Sequence, residues 1–171
     1  MKRKITFASL VLLLSACAKN PQNTTSVATS LSFTSGGVSY SVSGSDASLY
    51  LSKVSARTGQ LPGYELTAVK VTKYVISLFI LTDNSLSQTT YLTNRTNYPS
   101  SQHTVFNSTS GGREYANWTS SDFMSVTILK IENGMATGIF SAHMTQYPLA
   151  QENSASTEIL NGKFANIKIT E

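Results

Sequence analysis

Apolar and polar residues alternate along this chain in short bursts separated by turn-forming residues. In LSFTSGGVSYSVS, Leu31 and Phe33 fall on one face, and Val38, Tyr40 and Val42 repeat the spacing after Gly36–Gly37. Period-two runs on both sides of a Gly-Gly pair predict a β-hairpin, because both turn positions must accept positive φ. The segment DASLYLSKVSA, residues 46–56, has partial helical spacing at Leu49, Leu51 and Val54, with Asp46 placed to cap it. We read it as a strand in preference to a helix. YELTAVKVT sets Leu66 and Ala68 against Val69 and Val71, so its phase is imperfect. VISLFIL is an unbroken apolar run followed by Thr82-Asp83-Asn84. Its shortness and its Val and Ile content predict a central strand covered on both faces.

The C-terminal third alternates more cleanly. SVTILKI places Val126, Ile128 and Lys130 on one face and Thr127, Leu129 and Ile131 on the other. Asn133–Gly134 follows, and Asn161–Gly162 recurs between STEIL and KFANIKI. Asn-Gly is the strongest short hairpin cue, so two hairpins are expected at these sites. Phe164 is out of phase with Ile167 and Ile169, which predicts a bulge near Ala165–Asn166. Gly138, inside a strand pattern, marks a further bulge or a close backbone approach. There is no convincing amphipathic helix and no internal repeat. The expectation is an all-β domain over residues 31–171, an antiparallel β-sandwich or partly closed β-barrel of about eight to eleven short strands.

The first thirty residues break this pattern. Lys2, Arg3 and Lys4 precede a mostly apolar stretch from Ile5 to Leu14. A membrane-spanning helix needs about twenty apolar residues, so this stretch reads as a secretory signal. Leu14-Ser15-Ala16-Cys17 then resembles the lipobox of bacterial lipoproteins. That resemblance implies removal of residues 1–16 and diacylation of the Cys17 sulfur, usually with acylation of the new amino terminus. The alternative is an ordinary signal peptide with an unmodified thiol. Two or more acyl chains anchor a protein stably at a membrane. Ala18 to Ser30 has few large apolar residues and reads as a flexible tether. Lys19-Asn20-Pro21-Gln22 lacks the acidic run that resembles a surface-export signal, which favours the periplasmic side of the outer membrane.

Cleavage changes the charge balance. The leader holds three of the thirteen basic residues and none of the nine acidic ones, so the formal charge falls from +4 to +1. No basic cluster remains to suggest nucleic acid. Cys17 is the only cysteine, so the lipidated chain offers no disulfide and no thiolate metal site.

The domain resembles an uncharacterised family of small β-rich lipoproteins from gut-dwelling Gram-negative anaerobes. The matching stretches are the Cys17 lipobox, GGVSY, GIFSA (Gly138 to Ala142) and NGKFANI (Asn161 to Ile167). These motifs are turns, a bulge and core aromatics. The resemblance implies no activity.

Candidate chemistry is sparse. His103 or His143, paired with Asp83, Asp122, Glu114 or Glu132, would form an acid/base couple. No Gly-x-Ser-x-Gly elbow accompanies them. Histidine spacing supports no zinc site, and a single carboxylate in TDNS supports no calcium loop. No metal or cofactor is expected. The nine acidic residues form no visible pair for glycoside hydrolysis. Tyr91, Tyr98, Tyr115 and Trp118 lie in polar stretches and would form a sugar-stacking platform if exposed; the alternative is packing against the sheet. Asn23, Asn94, Asn107 and Asn117 begin Asn-x-Ser/Thr triplets that reflect composition in a bacterial lipoprotein. The sequence therefore points to a non-enzymatic, lipid-anchored binding domain for a small ligand, glycan or protein partner. A structural envelope component or a glycan or peptide hydrolase are the alternatives.

Overall fold

A computed structural model describes residues 28–44, 48–54, 62–70, 74–82, 85–94, 105–108, 113–116, 121–147 and 155–171. Among these residues eleven strands run in chain order. They are β1 (Ser30–Ser35), β2 (Val38–Ser43), β3 (Ser48–Val54), β4 (Gly63–Lys70), β5 (Tyr74–Leu81) and β6 (Thr90–Asn94). They continue with β7 (Val105–Ser108), β8 (Arg113–Ala116), β9 (Phe123–Glu132), β10 (Met135–Tyr147) and β11 (Ser156–Thr170). No helix occurs among the described residues. The all-β expectation holds, and residues 48–54 are strand.

The two longest strands, β10 and β11, pair antiparallel and form the spine. On the far side of β11, β1 pairs with its first two thirds and carries β2 as an edge. On the far side of β10, β9 pairs along Met135–His143 and carries β6 as the other edge. This antiparallel layer therefore reads β2-β1-β11-β10-β9-β6. A second antiparallel set, β3-β4-β5-β7-β8, joins it at two corners. At one corner β3 meets the end of β11 through Ile169↔Leu51 and Thr170↔Ser52, the one parallel ladder among the described residues. At the other, β8 meets the end of β10 through Thr145–Tyr147. The layers fold over a shared core, and β2 and β6 are the edge strands.

The core follows from the alternation read above. Leu31, Phe33, Val126, Ile128, Phe140, Ile159 and Phe164 point inward from one layer; Leu51, Leu66, Ile76, Leu78 and Phe106 meet them from the other. Phe33 stacks on Tyr40 at 4.9 Å and meets Tyr74 and Phe106 edge-on. Such pairs add about 0.5–1.5 kcal/mol each beyond area burial. The Tyr74 hydroxyl is buried without a hydrogen-bond partner. Burial, reinforced by the neighbouring Tyr40 phenol, pushes its pKa up to about 12. In β5, Leu78, Phe79 and Ile80 are all buried in succession, as expected for a strand covered on both faces.

The turn and bulge expectations divide. Gly36–Gly37 and Asn133–Gly134 close the β1–β2 and β9–β10 hairpins with positive φ at both residues. Asn161–Gly162 is not a hairpin: β11 runs through it unbroken. Only Asn161 takes positive φ, at 53°. There β11 fits two residues, Leu160 and Asn161, opposite the single Ser141 between Phe140↔Gly162 and Ala142↔Ile159. The dipeptide makes a bulge in place of a turn. A second bulge sets Ala165 and Asn166 opposite Thr137, as the phase slip at Phe164 predicts.

Gly138 and Gly162 explain why β10 and β11 stay in this register. Gly138 lies opposite Phe164, and Phe140 lies opposite Gly162. A Cβ on Gly138 would collide with the Thr127 carbonyl oxygen and lie 2.5 Å from Phe164 Cζ. A Cβ on Gly162 would collide with the Phe140 carbonyl oxygen and lie 2.6 Å from its Cδ2. The two Gly-x-Phe stretches thus interlock reciprocally, each ring occupying space that the other strand's glycine leaves empty.

Candidate functional site

The outer face of the β6-β9-β10-β11 sheet is the chemically distinctive surface. Ser125 and Thr127 of β9 and Ile139 and Ser141 of β10 point there, because Met124, Val126, Ile128, Phe140 and Ala142 between and beside them are buried in the core. Cross-strand pairing aligns Leu92, Ser125 and Ser141 in one row, and Thr90, Thr127, Ile139 and Lys163 in the next. Between these rows lies an open depression of about 430 Å³, bounded by Ser125, Thr127, Ile139, Ser141, Asn161 and Lys163. That volume lies within the roughly 300–1,000 Å³ of small-molecule sites. Gly162 adds no side chain to its floor.

The bulge shapes this depression. A bulge re-aims the side chain that carries it. Asn161 is exposed and lines the depression, with its backbone in the left-handed region. Among the described residues, the side chains of Ser125, Ser141, Asn161 and Lys163 make no hydrogen bond or ion pair. Thr127 is engaged with Thr90 at 2.8 Å. Ile139, on the lining, is 47% exposed, and Leu92 and Leu160 on the same outer face are 52% and 48% exposed.

One row further along β10 lies an acid–histidine pair. The Asp122 carboxylate has no solvent exposure, and its Oδ1 accepts from His143 Nδ1 at 3.0 Å and from Thr145 Oγ1 at 3.0 Å. It sits where β10 exchanges its partner β9 for β8. A carboxylate oxygen accepts, so Nδ1 carries the hydrogen and Nε2 is left as an acceptor in the neutral ring. Phe123 stacks parallel to the imidazole at 6.4 Å, and Glu158 faces His143 across the β11 ladder. A histidine oriented by a buried carboxylate is the base-and-orienter half of a nucleophilic site. Ser141 and Ser125 share this face, but among the described residues no hydrogen bond joins His143 to either.

Of the pairings expected from sequence, the structure brings together His143 and Asp122. Glu132 pairs instead with Lys130, and Glu114 lies on β8. His103, Asp83 and Cys17 lie outside the described residues, as do Tyr98 and Trp118. Tyr91 and Tyr115 are half-buried and pack against the core. The Tyr91 hydroxyl accepts from the Ser87 amide at 2.8 Å, and Tyr115 stacks on Phe106 at 6.2 Å. They belong to separate strands, β6 and β8, which do not pair with each other. Among the described residues no three His, Cys, Asp or Glu side chains converge as metal ligands. Sequence reading missed the depression altogether. Its residues are ordinary Ser, Thr, Asn and Lys, and only the register of β9, β10 and β11 brings them together. No protein-family model, curated protein or solved structure matches the chain.

Proposed function

We propose that this chain is a lipid-anchored envelope domain that binds a small polar ligand on the outer face of β9, β10 and β11. The observation that carries the reading is the depression beside Asn161, where four polar side chains stand without intramolecular partners among the described residues. Polar side chains that project into a concave surface unpaired are available to a ligand at no cost of broken internal bonds. Cys17, in its lipobox, supplies the membrane attachment, and the periplasmic side of the outer membrane is the expected location.

Two experiments test the two parts. Cys17→Ser should release the protein from membranes and block lipoprotein maturation; unchanged fractionation and processing would remove the anchor. A photocrosslinking residue at Leu160, exposed beside Asn161, should capture a small molecule or glycan in intact cells. Capture of one stoichiometric protein would favour the structural-partner alternative.

The Asp122–His143 pair favours a second reading, hydrolysis, with Ser141 or Ser125 as nucleophile. A fluorophosphonate probe that labels either serine only when His143 is intact would support it. Absence of labelling under conditions where a serine hydrolase reacts would leave the binding reading alone.

A further inference from the structure

We infer that the ligand of the Asn161 depression is an acidic saccharide, a sugar unit bearing a carboxylate or sulfate. This inference rests on the binding reading above and names its chemical class.

Three observations lead to it. The first is the donor set. Ser125 and Ser141 offer hydroxyls, Asn161 an amide, and Lys163 an ammonium, and none has an internal partner among the described residues. Hydroxyls and an amide donate and accept over a short range, which matches the vicinal hydroxyls of a pyranose. Among the described residues, Lys163 is the one charged group on the lining, and no carboxylate lines the depression to neutralise it. An unpaired ammonium beside neutral hydrogen-bonding groups selects a ligand with one anionic substituent.

The second is the apolar contact. Ile139 is 47% exposed and stands between Thr127 and Lys163 in the same cross-strand row. A pyranose has an apolar C–H face as well as its hydroxyl rim, and a branched aliphatic side chain covers the former. A simple inorganic anion has no such face and would leave Ile139 unused.

The third is the backbone. Asn161 has φ 53° and Asn166 φ 52°, yet only the Asn166 bulge is bound by neighbouring hydroxyls. Thr137 Oγ1 accepts from the Asn166 amide at 3.1 Å, and Thr29 Oγ1 donates to the Asn166 carbonyl oxygen at 3.0 Å. Ser141 occupies at the Asn161 bulge the position Thr137 occupies at the other, but its hydroxyl stays unbonded among the described residues. The Ser141 hydroxyl, which the Asn161 bulge does not use, is thus left for a ligand.

The test uses the full lipidated protein in detergent micelles, applied to an array of neutral, uronate-containing, sialylated and sulfated glycans. Binding confined to the acidic glycans is expected. It should weaken about tenfold or more in Lys163→Ala, as loss of a charge-assisted hydrogen bond implies, and should weaken with salt. Asn161→Gly preserves the positive φ while removing the amide, and a thermal melt at or above the parent's would show that the fold is intact. In that folded variant, binding should fall again. Neutral glycans bound as well as acidic ones, with sensitivity to Asn161→Gly, would overturn the acidic class and keep the depression as the site. Binding unaffected by Asn161→Gly and Ser141→Ala, or no glycan bound at all, would overturn the inference and its site together.

Discussion

The two bulges of β11 have nearly the same backbone and different chemistry. Each inserts a left-handed asparagine opposite a hydroxyl residue of β10: Asn166 faces Thr137, and Asn161 faces Ser141. At Asn166 the hydroxyl binds the bulge amide, and Thr29 closes the other side. At Asn161 the serine and the asparagine side chains are left open beside a depression. A left-handed asparagine at both bulges, with the facing hydroxyl bonded at one and unbonded among the described residues at the other, separates a device that holds the sheet from a surface available to a ligand.

The Gly-x-Phe interlock lies between the bulges and keeps both in register, so breaking it gives the largest effect. Gly138→Ala or Gly162→Ala should destabilise by about 3 kcal/mol or more, since a backbone oxygen and an aromatic ring both have to move. Chemical denaturation measures this; a loss below about 1 kcal/mol would mean the strands slide past one another without penalty. Next comes the difference between the facing hydroxyls. Thr137→Val should cost about 1–3 kcal/mol by leaving the part-buried Asn166 amide without its acceptor. Ser141→Ala should cost under about 0.5 kcal/mol, as expected where no bond is lost. Equal costs at the two positions would erase the contrast. Replacing each asparagine by alanine comes third, at about 1–2 kcal/mol for either bulge, because a Cβ without a compensating polar group disfavours positive φ. The smallest effect is expected for Asn161→Gly, a few tenths of a kcal/mol in either direction, since glycine enters the left-handed region freely. That variant isolates the side chain from the conformation, and its thermal melt should overlay the parent's.

The same contrast shows what was legible beforehand. The hairpins at Gly36–Gly37 and Asn133–Gly134 were readable because alternation on both sides demanded a reversal with two positive φ values. The bulge at Ala165–Asn166 was readable because Phe164 broke phase with Ile167. Asp122 and His143 were visible as types 21 residues apart, and the β9–β10 hairpin, which sets Phe123 opposite His143, brings them within 3.0 Å; the exact register of that hairpin is what the sequence left open. The depression carried no signal at all. Its serines, threonine and lysine come from three strands and read as ordinary solvent-facing positions.

Asn161–Gly162 marks the boundary between what sequence decides and what it leaves open. Local chemistry dictated that Asn161 would take positive φ, because asparagine tolerates that region better than other side chains do. It equally dictated the all-β character, through period-two alternation and the scarcity of helical spacing. Whether the residue after Asn161 would also turn was beyond local reach. A hairpin needs two positive φ values and a bulge needs one, and Asn-Gly satisfies either. The choice fell to Phe140 and Phe164: each ring seats over a glycine on the opposite strand only if β11 continues straight past Asn161. Burying both rings in the shared core outweighs the local preference for a turn, and that burial exists only once the two strands are side by side.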